Sequence, residues 1–351
     1  MKHRKAIAAW LFIVGLMIFA MIVLGGVTRL THSGLSMVDW RPVTGWLPPL
    51  DAAEWERVFA GYREYPEYKK LNLGMTLEEF KSIFWFEYTH RLLGRLIGAA
   101  FVVPMAVFWL KGWVGWRLGL KLIGLFVLGG LQGALGWYMV KSGLISRPDV
   151  SQYRLAAHLG LALVILGAMA WVGLGILSPE RSAAAPERVP GRGPARGPKR
   201  LRRWAWGLTA LIFVTALTGA FVAGLDAGFV YNTFPLMDGA WVPGGLFELA
   251  PGYRNFFENT ATVQFNHRIL AIAAFGAVMV FWWRARRAGL APGQRLALNV
   301  LAAVAAVQVA LGIATLLLVV PVPLAALHQA GAVALFLAAV WLAHELRPGG
   351  A

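Results

Sequence analysis

Residues 6–27 read AIAAWLFIVGLMIFAMIVLGGV, a stretch with no charged side chain and no proline, directly behind the basic cluster MKHRK (1–5). An α-helix needs roughly 20 apolar residues to cross about 30 Å of hydrocarbon, so this run predicts a membrane-spanning helix. It is too long for the core of a cleavable signal peptide. Comparable runs recur near 88–110, 119–140, 155–177, 204–224, 263–283, 297–319 and 323–343, which predicts eight spans and an all-α integral membrane fold. Composition agrees: 58% of the 351 residues are hydrophobic and only 14% charged, too apolar for a soluble chain of this length.

The net charge of +16 does not point to nucleic acid. The basic residues gather in short segments between apolar runs: Lys111, Arg117 and Lys121, then 181–203, then Arg284 to Arg295. The positive-inside rule places such segments, and both termini, in the cytoplasm. Segments 28–87 and 225–262, richer in Asp, Glu, Trp, Tyr and Pro, then face the periplasm of a bacterial inner membrane. With no cysteine in the chain, thiolate ligands, iron–sulfur clusters and disulfides are excluded, and metal chemistry falls to His, Met, Tyr or carboxylates.

The chain repeats itself. Gly25, Gly34, Gly45 and Pro49 fall on Gly219, Gly228, Gly239 and Pro243 at a constant offset of 194. EYTHR (87–91) is answered by QFNHR (264–268), QGALG (132–136) by QVALG (308–312), and His158 by His328. Four spans per unit is an even number, so both units enter the membrane in the same orientation. The expected organisation is two tandem pseudo-symmetric four-helix bundles, 1–178 and 204–351, joined by a flexible cytoplasmic basic linker at 179–203, rich in Ala, Pro, Gly and Arg.

His90, His158, His267 and His328 take matched places about one turn inside the outer ends of their helices. One membrane histidine is more often a satisfied interhelical hydrogen bond than a ligand. Four at matched repeat positions point instead to two bis-His haem sites, one per bundle, with an imidazole from each of two facing helices on the iron. His3, His32 and His344 are read as solvated and without a role. Arg91 and Arg268, each next to a site histidine, suit haem propionates by their bidentate fork or simply snorkel to the interface, as does Arg95. The halves differ where Glu87 is replaced by Gln264. A carboxylate can relay protons beside a reacting group and an amide cannot, so Glu87 reads either as catalytic or as a carboxylate favoured at a helix N-terminus. Gln132 and Gln308 read as interhelical packing residues, and Trp55, Trp85, Trp113 and Trp116 as interfacial belts.

The motifs GGVTRLTHSGLS (25–36) with WRP (40–42), WERVF (55–59) through MTLEEFK (75–81), EYTHR (87–91), QGALGWYMVKSG (132–143) and NHR (266–268) together resemble the haem A synthase family, in its cysteine-free proteobacterial and mitochondrial form, over nearly the whole chain. The resemblance implies oxidation of the C8 methyl of haem O to the formyl of haem A, for cytochrome oxidase assembly. It puts substrate haem O between His90 and His158, beside Glu87 and Arg91, and a haem B cofactor between His267 and His328, beside Arg268. It further implies as partners a haem O synthase (a farnesyltransferase), a terminal oxidase or its assembly factors, and an electron acceptor. Gly-rich outer faces would permit a homo-oligomer. A dihaem b-type cytochrome would also need four membrane histidines, but not Glu87 in one pocket only, nor some sixty residues of outer segment above that pocket. A transporter would explain the repeat but not the histidines.

Overall fold

A computed structural model describes residues 3–39, 45–146, 150–178 and 197–348. The WRP motif (40–42) and residues 179–196 of the expected linker lie outside these. Among the described residues the chain is all helical, and eight helices are long and apolar enough to cross a membrane. The protein is a multi-pass membrane protein. In order, the elements are α1 (Arg4–Leu30), α2 (Ala52–Arg63), α3 (Pro66–Lys70), α4 (Leu77–Leu110), α5 (Trp116–Ser146), α6 (Gln152–Leu177), α7 (Gly197–Gly224), α8 (Asn255–Glu258), α9 (Thr260–Ala285), α10 (Pro292–Leu317) and α11 (Val322–Glu345). In hydrocarbon every backbone N–H and C=O must be satisfied within its own segment, which is why apolar runs of this length become helices.

Helix α4 starts well before its apolar run. Thr76 and Glu79 form a reciprocal capping box that opens the helix at Leu77, and its 34 residues extend about 50 Å, more than the roughly 30 Å of hydrocarbon a span must cross. The projecting end carries α2 and α3, so the first outer segment is a small folded cap rather than an irregular loop. Phe59 and Tyr62 of α2 pack on Phe80, Phe84 and Tyr88 of α4, and Asn72 donates to the Tyr62 hydroxyl at 2.7 Å. Burial and the neighbouring Glu67 push the Tyr62 phenol pKa up. At the other end of the expected linker, residues 197–203 are helical, because α7 opens at Gly197, ahead of the apolar run. There Arg200 covers the face of Trp204, so a basic sequence continues the helix.

The packing follows the same ring in each half: α1 on α4 and α6, with α5 on α4 and α6; then α7 on α9 and α11, with α10 on α9 and α11. The two rings meet where α1 and α6 lie against α7 and α11. Small residues allow this approach: Gly160 receives Leu217, and Gly167 receives Phe336. Polar ties close the same interface at its outer end. Arg29 reaches Asp226 at 3.1 Å, and Tyr153 donates to Glu258 at 3.0 Å.

Candidate functional site

Each of the four histidines lies against a glycine of the neighbouring helix. A Cβ on Gly25 of α1 would stand 3.1 Å from His90 Nε2, and one on Gly219 of α7 would stand 3.2 Å from His267 Cε1. A Cβ on Gly136 of α5 would meet His158 Cε1 at 3.1 Å, and one on Gly312 of α10 would meet His328 Cε1 at 2.8 Å. The glycines are therefore seats for imidazoles, at equivalent places in the two halves. His90 lies within electrostatic reach of His158, and His267 of His328. Each histidine thus lies near the other of its own half.

Their depth needs correction. His158, His267 and His328 lie six or seven residues inside the starts of α6, α9 and α11, nearer two turns than one. His90 lies thirteen residues inside α4, because α4 begins at Leu77, ahead of its apolar run.

The tethers differ between the halves. Thr218 Oγ1 stands 2.9 Å from His267 Nδ1, and the Gln308 amide 3.1 Å from His328 Nδ1. The Thr218 hydroxyl donates to the Thr215 carbonyl and so accepts from His267 Nδ1–H, which leaves Nε2 of that ring for a metal. At His328 it is the Gln308 amide nitrogen that faces Nδ1, with its oxygen unpartnered, and turning the amide over would give His328 the same tautomer. In the first half Leu24 stands where Thr218 stands in the second, and His90 has no hydrogen-bond partner among the described residues. The Gln132 amide sits 3.3 Å from His158 Nε2 and 3.1 Å from its carbonyl, while the buried Nδ1 has no partner. Gln132 and Gln308 are thus more than packing residues: both address a site histidine.

The arginines anchor the outer segments. Arg91 donates to the carbonyls of Met37 (2.6 Å) and Asp39 (2.9 Å); Arg268 donates to those of Tyr231 (2.7 Å) and Thr233 (2.8 Å). Met37 and Asp39 precede Tyr231 and Thr233 by the same 194 residues that relate Gly25 to Gly219. Glu87, 3% exposed, is ion-paired with Arg91, whose Nε lies 3.0 Å from Oε1. Its other oxygen accepts from the Ser36 hydroxyl at 2.8 Å and the Met37 N–H at 2.7 Å. Gln264 instead donates to the Tyr231 carbonyl at 3.0 Å, and Arg268 has no carboxylate partner among the described residues, its buried Nε unsatisfied.

Of the remaining histidines, His32 is exposed and His3 stacks on Trp113. His344 is not solvated as expected but 2% exposed, held between the edge-on Trp171 ring and Arg347. A cavity of 710 Å³ lined by Trp171, Trp206, Phe213 and Phe336 lies apart from all four site histidines.

Residues 8–340 match the COX15-CtaA family, described as cytochrome oxidase assembly protein. The chain is 54% identical over 344 residues to a protein of Nitrosospira multiformis named "Heme A synthase", covering 98% of this chain and 94% of that one. The chain belongs to the haem A synthase family. A "Heme A synthase" of Rhodospirillum centenum is 51% identical over 98% of this chain and 89% of its own length. The human "Heme A synthase COX15" is 48% identical over 98% and 83%. The match to the haem A synthase family spans both halves, so it takes in all four histidines and both arginine anchors.

The donor sets fit haem. Among the described residues there is no cluster of three or more His, Cys, Asp or Glu to cage a bare ion. Two imidazoles per half are the set required by a metal that brings its own in-plane nitrogens.

Proposed function

We propose that this chain makes haem A, oxidising the C8 methyl of haem O to a formyl group, with haem B held between His267 and His328 and haem O between His90 and His158. The observation that carries this reading is the unequal tethering of two otherwise matched histidine pairs. A resident cofactor needs fixed ligands: Thr218 fixes the tautomer and tilt of His267, and Gln308 holds the tilt of His328. A substrate must enter and its product leave, and His90, resting on Gly25 with no tether, can turn on and off an iron at small cost. The bound haem would supply the redox chemistry. The protein's part in the first pocket is to seat the two imidazoles and to hold the segment 33–39 over His90 through Glu87 and Arg91. Those two side chains place a carboxylate three residues from His90, and Glu87 is the group proposed to handle protons there. For Arg91 and Arg268 the engaged geometry favours anchoring the outer segments, with the orphaned Arg268 Nε left to meet a haem propionate.

The proposal extends to the two-bundle division, to an inner-membrane location with the histidine pairs toward the periplasm, and to a farnesyltransferase, an oxidase assembly partner and an electron acceptor on either side of the reaction. A dihaem electron carrier would not need one pocket looser than the other. The test is co-expression with a haem O-forming farnesyltransferase, followed by haem extraction, reversed-phase chromatography and mass spectrometry. Haem A should form only when this chain is present; bound haem B with haem O left unconverted would overturn the proposal in favour of the cytochrome.

A further inference from the structure

Helix α1 packs against helices of both histidine pairs, and two successive residues, about 100° apart around it, face one pair each. Gly25 is the seat of His90. Gly26 faces α11, where Gln329, the residue next to His328, lies against it so closely that a Cβ on Gly26 would stand only 1.6 Å from the Gln329 amide oxygen. Gln329 Nε2 donates 2.8 Å to the carbonyl of Ile22, one turn earlier in α1. In an apolar interface a side-chain amide has few other partners, and each such bond is typically worth about 1 kcal/mol. The tie is one-sided. The residues that correspond to Gln329 and Gly26 in the reverse direction are Leu159 and Ala220, which have no side-chain hydrogen bond to offer.

We propose that Gln329 is a positioning residue that couples the two histidine pairs, by locking the helix that seats His90 to the residue beside His328. The inference rests on the haem reading of those pairs. A displacement of His90 presses on Gly25; α1 cannot yield there without moving Ile22 and Gly26 against Gln329. The link from one imidazole to the other therefore runs through one contact, one turn of helix, one hydrogen bond and one peptide bond. Close-packed contacts of this kind pass on small shifts instead of absorbing them.

The test is a double-mutant cycle on the full-length protein. Haemin affinity of the second pocket and the g values of its low-spin haem are measured in the native chain, His90→Ala, Gln329→Leu and the double variant. Emptying the first pocket with His90→Ala should change second-pocket affinity by about fivefold or more and shift the g values. In the Gln329→Leu background both effects should vanish. Gly26→Ala, which pushes the amide away from α1, should behave as Gln329→Leu does and serves if that variant folds poorly. A His90→Ala effect of undiminished size with Gln329 or Gly26 replaced would overturn the coupling while leaving the haem reading intact. Native protein without any bis-His absorption would overturn both.

Discussion

At the scale of single residues, Glu87 and its counterpart Gln264 allow a clean separation of two roles. In the second half an amide is enough to help hold the outer segment, since Gln264 and Arg268 both reach the Tyr231 carbonyl. Glu87→Gln should therefore fold, at a cost of about 3 kcal/mol for leaving Arg91 without its buried partner, and should retain haem B. If the carboxylate handles protons, conversion of haem O falls by at least 100-fold; near-normal haem A yield from the folded variant would reduce Glu87 to an anchor. The glycine seats allow a second test. Gly312→Ala places a methyl group 2.8 Å from the His328 ring, so the low-spin bis-His spectrum of the second half should be lost or broadened. Gly98→Ala, with open space around it, should leave the spectrum unchanged and the helix slightly more stable. The histidines, and the Glu–Gln difference, were legible in the sequence because the repeat aligns them. That the aligned glycines and glutamines touch those same histidines was not, since helix periodicity does not say which neighbouring helix a face meets.

Among the elements, the cap formed by α2, α3 and the projecting end of α4 was the least legible. Hydropathy marks only the part of a helix that lies in lipid, so it predicts α4 only from about residue 88 on. The signal that could have extended it is Thr76 with Glu79, three residues apart. Thr76→Ala should cost about 1 kcal/mol and loosen the cap before the spans, which hydrogen exchange would register as faster amide exchange in α2 and α3 alone. The cap also has a pH limit. Below pH 10, the ordinary pKa of tyrosine, Tyr62 is neutral whether folded or unfolded. Above it the unfolded chain sheds the proton while the buried phenol holds it, so the cap loses stability as pH rises beyond 10. Fluorescence of Trp55, which packs edge-on against Phe84, should report alkaline opening, and Tyr62→Phe should remove the Tyr62 share of that pH dependence.

Across the whole molecule, the eight spans could be read from apolar run lengths; the way α1 and α6 meet α7 and α11 could not. Arg29, Asp226, Tyr153 and Gln329 carry no periodic signal, and each becomes meaningful only when α1 and α6 lie against α7 and α11. The unequal treatment of the two arginines acts at this scale. Arg91 is paired with Glu87, whereas Arg268 beside the second pocket has no carboxylate partner among the described residues. A positive charge stabilises an added electron nearby, and in a poorly screened interior that effect is strong. Gln264→Glu should therefore lower the midpoint potential of the second-half haem, as redox titration would measure. On the assignment proposed above, the carboxylate beside the first pocket and the amide beside the second would make the second haem the lower-energy place for an electron released in the first, giving the molecule a direction of current as well as a pair of sites.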